Sequence, residues 1–540
     1  MSYVAWFVNS TRGIRANIAV RILAGLAQAV IDLYVVWLSR QFIDVVIPEG
    51  SDDDIFRSAL WLFVGVTVAV LLRVAYYYLT VTAGTIQSNS VRKRIYQKLF
   101  TTPLYNGKSL HSGDVASRLA KDIELVSEVS TDILPQILII GVELLGAFLL
   151  LRYFDARLAW LLVIITPLTV ASGKFISYKL RNLTHGIRDE ESRIQMQVQE
   201  SIEQNAVLRS LCCQNFMAKA LDSMHNALLS KTIQRTRFMV IIRVIMGLTF
   251  TLGYMAAFVW GGLQLKNGSI SFGTMTSFLQ LVGLIQGPIY TLLTFLPKVA
   301  QSTASIDRLE QMEASSEENA ETLAAETAPL GVCCQNVTFK YVQGDEPVLK
   351  DFSHRFEPSS KTAITGRTGI GKTTLFRLML SLVKPDNGSV TIFNSEKAIP
   401  VSPSLRGNFV FVPQGNTLIS GSIRYNLSLA NPNADEETLK NVLHAACADF
   451  VFDMKDGIDT VLGEQGGGLS EGQAQRIAIA RGLLRPGQIF LLDEISSALD
   501  EDTEKELYQR LFAAYPDKTM IFITHRQSVV GLCGSKIYLD

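Results

Sequence analysis

Long, nearly uninterrupted apolar runs fill the first 300 residues, whereas shorter apolar segments separated by glycine and charge fill the last 210. A helix needs about 20 residues to cross the hydrocarbon core of a bilayer. Six segments are that long: 18–38, 55–78, 133–151, 158–176, 238–263 and 275–296. The alternative, a soluble helical bundle, requires polar stripes at helical period. Runs such as LWLFVGVTVAVLL and LAWLLVIITPL have none. The pattern therefore predicts six membrane-spanning helices followed by a soluble α/β domain.

Lys and Arg in the connections set the orientation. The stretch 41–56 has neither, and it holds Asp44, Glu49, Asp52, Asp53 and Asp54. Connections 153–156 and 264–272 are short. By contrast, 83–130 carries Arg92, Lys93, Arg94, Lys98, Lys108, Arg118 and Lys121, and 177–237 is similarly basic. Both long connections, both termini and the soluble domain are thus expected in the cytosol. RKRIYQKLF and RDEESRIQMQVQESIEQ lack Gly and Pro, so helices two to five should continue well beyond the bilayer.

Five ionisable residues fall inside the spans: Arg21, Asp32, Arg73, Glu143 and Arg243. Such groups face a partner or a water-filled path. The three arginines lie near cytosolic ends, where snorkelling is expected. Glu143 lies near mid-membrane and reads either as a substrate or proton contact or as half of a buried pair. Pro167, Pro288 and Pro297 lie in or beside spans and are potential kinks. The first 13 residues, aromatic and polar, show no cleavable signal and suit a short amphipathic helix on the membrane surface.

The polar, acidic, Ala-rich stretch 310–330 reads as a linker. After it comes strand-like CCQNVTFKYV, then a strand at 361–365. That strand runs into Gly366-Arg367-Thr368-Gly369-Ile370-Gly371-Lys372-Thr373-Thr374 and helix-forming LFRLMLSLV, the strand–loop–helix context of a phosphate-binding loop. Its glycines let successive N–H groups close around phosphate oxygens, and the helix N-terminus adds its positive dipole end. Lys372 supplies a point charge to the β and γ phosphates. The Thr373 hydroxyl suits Mg²⁺. Further on, the apolar run IFLL delivers Asp493 and Glu494 to a strand end, where open α/β sheets bind ligands. Asp493 suits the Mg²⁺ shell, and Glu494 suits orienting or deprotonating the attacking water.

Between these elements stands Leu469-Ser470-Glu471-Gly472-Gln473-Ala474-Gln475-Arg476, then IAIARGLL. It resembles the signature Leu-Ser-Gly-Gly-Gln of the ABC transporter family. The resemblance implies that the Ser470 hydroxyl and Gly472 amide meet the γ-phosphate bound by another subunit, so that ATP is sandwiched in a dimer. It also implies roles for further residues. Tyr341 would stack on adenine. Gln414 in FVPQGN would touch Mg²⁺ and water. Segment 460–466, with Glu464, would contact cytosolic loops. Asp500 in SALD would lie at the dimer interface, and His525 in FITHR would contact the γ-phosphate. The stretch 112–122, SGDVASRLAKD, resembles the run after the first coupling helix of exporter subunits. Two departures stand out. Glu471 replaces the first signature glycine. The chain ends at KIYLD, where the family usually adds a strand and a helix, which implies retained activity with some loss of domain stability.

The implied architecture is an α-helical six-span transmembrane domain (1–309), a linker (310–330) and an α/β P-loop ABC ATPase domain (331–540). The expected ligands are ATP and Mg²⁺. The expected partners are a second copy or a related half-transporter, membrane lipids and a transported substrate that the sequence does not identify. A bacterial inner or plasma membrane is the expected location. The composition is 48% hydrophobic and 19% charged, with zero net charge, so bulk electrostatics give no support for nucleic-acid binding. Six cysteines without metal-site spacing, all in segments assigned to the cytosol, read as inert reduced thiols.

Overall fold

A computed structural model of the chain describes residues 6–7, 10–102, 112–313, 318, 323, 325–341, 346–463 and 466–539, with backbone alone at 112–114, 158, 161–178, 181, 185, 293 and 296. Glu464, and most of the segment expected to form an N-terminal surface helix, lie outside the described residues. The chain divides into two compact units. One holds Met1–Gln97 and Ser112–Ala314, and the other holds Lys98–His111 and Ser315–Asp540.

The first unit is built on six long helices: α1 (Arg15–Gln41), α2 (Asp52–Thr101), α3 (Leu134–Phe154), α4 (Ala156–Glu203), α5 (Gln214–Lys266) and α6 (Phe272–Glu313). Five of the six predicted spans fall on described helices long and apolar enough to cross a membrane. The remaining one, 158–176, lies within α4. Helices α2, α4 and α5 hold 50, 48 and 53 residues. Fifty residues at ~1.5 Å rise reach about 75 Å, more than twice the ~30 Å hydrocarbon core. The expected extension beyond the bilayer follows from that length. Pro288 and Pro297 sit inside α6, which runs through both. A five-residue π turn, Phe42–Val46, follows α1. Two more, Arg118–Asp122 and Val129–Ile133, precede α3.

The buried residues of α1 are Arg21, Gly25, Ala29 and Val36, which share one helical face. A Cβ on Gly25 would stand 2.3 Å from Ile139 Cδ1, so the small residue admits α3. Val36, Ala147, Leu151, Ala257, Phe278 and Leu281 form a closed core among α1, α3, α5 and α6. The acidic connection also has a structural use. Asp44 accepts from the Gly273 N–H at 2.7 Å and from the Ser271 hydroxyl, capping the positive end of α6.

Arg21 does not snorkel. It is fully buried, donates to Asp132 at 2.5 Å and to the Tyr76 hydroxyl, and lies over the Tyr76 ring. A carboxylate within reach draws the guanidinium inward through Nη2, while Nε and Nη1 have no hydrogen-bond partner among the described residues. Asp132→Ala should therefore strand a buried cation and destabilise the fold by about 3–5 kcal/mol, read as a lowered Tm in lipid nanodiscs. An unchanged Tm would remove the pair from the stability account. Arg73 approaches Asp32 at 4.0 Å. Glu143, with Asp32, Gln28, Gln136 and Tyr76, lines a cavity of about 110 Å³. Arg243 lines a shallower one of about 440 Å³ with Phe250, Gln286 and Tyr290.

The second unit contains β1 (Gly331–Phe339), β2 (Leu349–Phe356), β3 (Lys361–Gly366), α7 (Lys372–Met379), β4 (Asn387–Phe393), β5 (Ala398–Pro400), β6 (Phe409–Val412), β7 (Gly421–Ser422), α8 (Glu436–Ala445), β8 (Val461–Leu462), α9 (Glu471–Leu483), β9 (Ile489–Asp493), α10 (Glu501–Ala514), β10 (Thr519–Ile523) and β11 (Ser535–Leu539). A parallel sheet has the order β11-β3-β10-β9-β6, and an antiparallel sheet has the order β2-β1-β4-β5. In β9 the side chains alternate between two cores. Phe490 and Leu492 join α8 and α9 through Leu439, Leu443 and Ile477, while Ile489 and Leu491 join Leu375 and Phe376 of α7. A strand covered on both faces reads as the continuous apolar run seen in the sequence. Burial pushes the thiol of Cys334 up to about 12 and those of Cys447 and Cys533 up to about 11, which keeps them protonated and unreactive.

Candidate active site

Four neighbouring strands of the parallel sheet end beside one another, and each hands the chain to a candidate residue. β3 leads into the glycine loop, β9 ends at Asp493 before Glu494, β10 leads to His525, and β6 leads to Gln414. Parallel strands place their C-terminal ends on one edge, the usual ligand edge of such sheets.

The loop lies between β3 and α7. Gly366, Gly369 and Gly371 take φ of +150°, +86° and +105°, a region open to glycine at little cost. At Gly371 a Cβ would also stand 2.7 Å from Val348 Cγ1. Arg367, Thr368 and Gly369 are exposed, and Ile370 is half-buried. The α7 N-terminus opens onto the loop. Lys372 is buried; its ammonium donates to the carbonyls of Gly366 (2.7 Å) and Arg367 (3.1 Å) and meets His525 Nε2 at 2.9 Å. Burial lowers its pKa, and nearby Glu494 and Asp493 counter that shift. Since an ammonium has only N–H to give, His525 Nε2 accepts here, which fixes the ring tautomer.

Asp493 is 2% exposed and accepts from the Thr373 hydroxyl at 2.9 Å. Burial raises its pKa, opposed chiefly by that hydrogen bond. One carboxylate beside one hydroxyl fits Mg²⁺, a hard ion that takes few protein oxygens and completes its shell with water and phosphate. Among the described residues no group of three or more His, Cys, Asp or Glu gathers as a fuller metal site. Glu494 accepts from Gln414 Nε2 at 2.6 Å, and its other oxygen lies 3.6 Å from His525 Nε2. Its φ is +47°, strained for a side chain with a Cβ by about 1–3 kcal/mol.

Tyr341 is anchored at its hydroxyl, which receives Arg377 Nη1 at 2.9 Å and lies 3.2 Å from the hydroxyl of buried Thr374. Its ring packs edge-on against Phe339. The tyrosine is thus tied to α7 beside the loop.

The signature residues are elsewhere in this unit. Ser470 caps α9: its hydroxyl accepts from the Gln473 N–H at 3.2 Å, and the Gln473 side chain receives the Ser470 N–H at 3.0 Å. This capping box leaves the Ser470 O–H free to donate outward. A Cβ on Gly472 would stand 2.8 Å from the Ala498 carbonyl, so glycine admits the SALD segment. Glu471 is exposed in the first turn, where its charge suits the helix dipole. Asp500 caps α10 through Thr503, and these bonds lower its pKa. Among the described residues no hydrogen bond or ion pair joins Ser470, Gly472, Gln473 or Asp500 to the 366–373 loop. In the segment before the signature, β8 pairs with β7 and leaves Val461 77% exposed.

Sequence reasoning passed over three supporting residues. Arg377 anchors Tyr341. Arg526 donates to the carbonyls of Ser497 and Leu499, fixing the SALD turn. Gln475 donates to the Glu494 carbonyl at 2.9 Å. Only Gln475 carried a signal, as an amide on the apolar face of α9.

Known proteins bear the same organisation. Residues 18–289 match the family described as ABC transporter transmembrane region, and residues 349–497 match the family described as ABC transporter. An ATP-dependent lipid A-core flippase of Acinetobacter baylyi is 29% identical, over 97% of this chain and 92% of its own length. A multidrug resistance ABC transporter ATP-binding and permease protein of Lactococcus lactis is 26% identical, over 96% of this chain and 87% of its own. The solved structure of a bacterial Atm1-family ABC exporter with ATP bound superposes with a TM-score of 0.85 at 21% identity. That match covers 98% of this chain and 94% of the exporter, and it establishes the shared fold.

Proposed function

The chain belongs to the ABC transporter family, an integral membrane protein with ATP hydrolysis coupled to transport, and on that premise we propose that two copies form an exporter of hydrophobic or amphipathic substrates. One observation carries the dimer: the 366–373 loop and the capped N-terminus of α9 both present N–H groups suited to an anion, yet among the described residues no hydrogen bond or ion pair joins them within one chain. A second copy supplies the missing half of each site. Intact Lys372, Glu494 and His525 make a homodimer sufficient, although a related half-transporter would serve as partner too.

In this reading the loop amides and the α7 dipole receive the phosphates of ATP, and Lys372 places its charge beside the β and γ groups. Tyr341 offers its ring to adenine. Thr373 and Asp493, with Gln414 nearby, would hold Mg²⁺, which neutralises phosphate charge when bound. Glu494, held by Gln414, takes the proton of the attacking water, and His525 turns toward the γ-phosphate once nucleotide displaces its bond to Lys372. Ser470 and Gly472 of the partner copy close the sandwich. Because only the closed dimer binds ATP from both sides, ATP favours closure, and hydrolysis releases it. Basic connections support a cytosolic position for both termini and the ATPase domain.

The relatives, one named for lipid A-core and one for multidrug resistance, favour amphipathic cargo in the membrane. The test is ATP-dependent movement of a fluorescent lipid and a panel of hydrophobic compounds in proteoliposomes. Movement of either class that stops in Glu494→Gln supports the reading. ATP-gated ionic current without any such movement contradicts it and marks a channel.

A further inference from the structure

Glu494 is shaped from behind by a residue that has no place in the nucleotide-binding set. Its φ of +47° crowds Cβ against its own backbone, a conformation that needs outside support. The support is visible on both sides of the residue. The Glu494 N–H donates to the Ile523 carbonyl at 2.9 Å. The Glu494 carbonyl accepts from Gln475 Nε2, also at 2.9 Å, and from the Ser497 N–H of its own turn at 3.1 Å.

Gln475 is 1% exposed, and its Oε1 has no hydrogen-bond partner. A carbonyl only accepts, so the amide must turn its N–H₂ toward Glu494, and that choice leaves Oε1 bare. Its neighbours on the helix, Ala474, Ala478 and Ile479, are apolar and buried. A leucine would fill the same space without an orphaned acceptor. A buried polar atom left unsatisfied calls for a compensating role, and among the described residues the bond to Glu494 is the one hydrogen bond the side chain makes.

We propose that Gln475 is a positioning residue for hydrolysis. Its amide pins the Glu494 carbonyl, holds the left-handed turn after β9, and so aims the carboxylate at Gln414 and His525. Without that bond only the local donor Ser497 is left on the carbonyl among the described residues, and the turn relaxes toward ordinary φ and carries the carboxylate away from the water it must meet. The inference rests on the reading of Glu494 as the general base.

The experiment compares full-length wild type, Gln475→Met and Gln475→Leu in lipid nanodiscs, with Glu494→Gln beside them. Methionine keeps the length and removes the donor. Leucine fills the space and likewise offers the carbonyl no donor. A displaced catalytic group costs on the order of 10²-fold in rate, so kcat should fall about 10–100-fold in both variants. KM for ATP and equilibrium binding of a fluorescent ATP analogue should stay within about twofold, because the loop residues that bind phosphate do not touch Gln475. Tm should not drop in Gln475→Met, which removes an unsatisfied acceptor. Should that variant fail to fold, Gln475→Leu gives the same kcat-against-KM reading. Wild-type kcat in a folded variant, or parallel loss of binding and rate, overturns the inference while leaving the base assignment intact if Glu494→Gln is inactive. Full hydrolysis by Glu494→Gln overturns the base assignment itself, and the role of Gln475 falls with it.

Discussion

Glu494→Gln should lower ATP hydrolysis about 10²–10⁴-fold, the range that a positioned general base contributes, and leave ATP binding intact. The carboxylate accepts from Gln414 on one oxygen and faces His525 with the other. An amide of the same size cannot take a proton from water. The charge next to the phosphates also falls by one, so binding should hold or tighten. The variant should then accumulate as an ATP-bound closed dimer, read by retention of labelled nucleotide after gel filtration. Hydrolysis within tenfold of wild type would exclude Glu494 as the base.

Lys372→Ala should act at the earlier step. Lys372 is 7% exposed, and its ammonium is held by two loop carbonyls at the point where phosphate would enter. A charge-assisted hydrogen bond contributes about 1.5–3 kcal/mol, and 1.4 kcal/mol is a tenfold change in Kd. ATP affinity should thus fall roughly 10–150-fold, measured by titration with a fluorescent analogue. The loss also removes a cation that offsets repulsion between Asp493, Glu494 and incoming phosphate. Unchanged affinity would mean that the loop amides alone bind the nucleotide.

Much of this architecture was legible because its signals are local. Span length follows from runs of apolar residues, and the phosphate loop from glycines placed between a strand and a helix. The run IFLL before Asp493 reads as a buried strand for the same reason. What stayed hidden depends on partners distant in sequence. Arg21 looked like a snorkelling residue because Asp132, 111 positions away, is brought beside it only when α1 packs against the π turn that leads into α3. Tyr341 was expected at the adenine, but its tether to Arg377 comes from the neighbouring helix. The signature serine was read for phosphate alone, whereas its bonds with Gln473 show that it first terminates its own helix. Gln475 was quoted within the signature without a role, since a short-range pattern does not reveal that its amide reaches a strand end 19 residues on.

The most direct test of the central claim is the ATPase rate of the purified wild-type protein in lipid nanodiscs, with and without Mg²⁺. The account predicts Mg²⁺-dependent hydrolysis by this chain alone, carried out by a dimer and lost in Glu494→Gln. A folded wild-type protein that binds ATP and does not hydrolyse it would contradict the homodimeric pump.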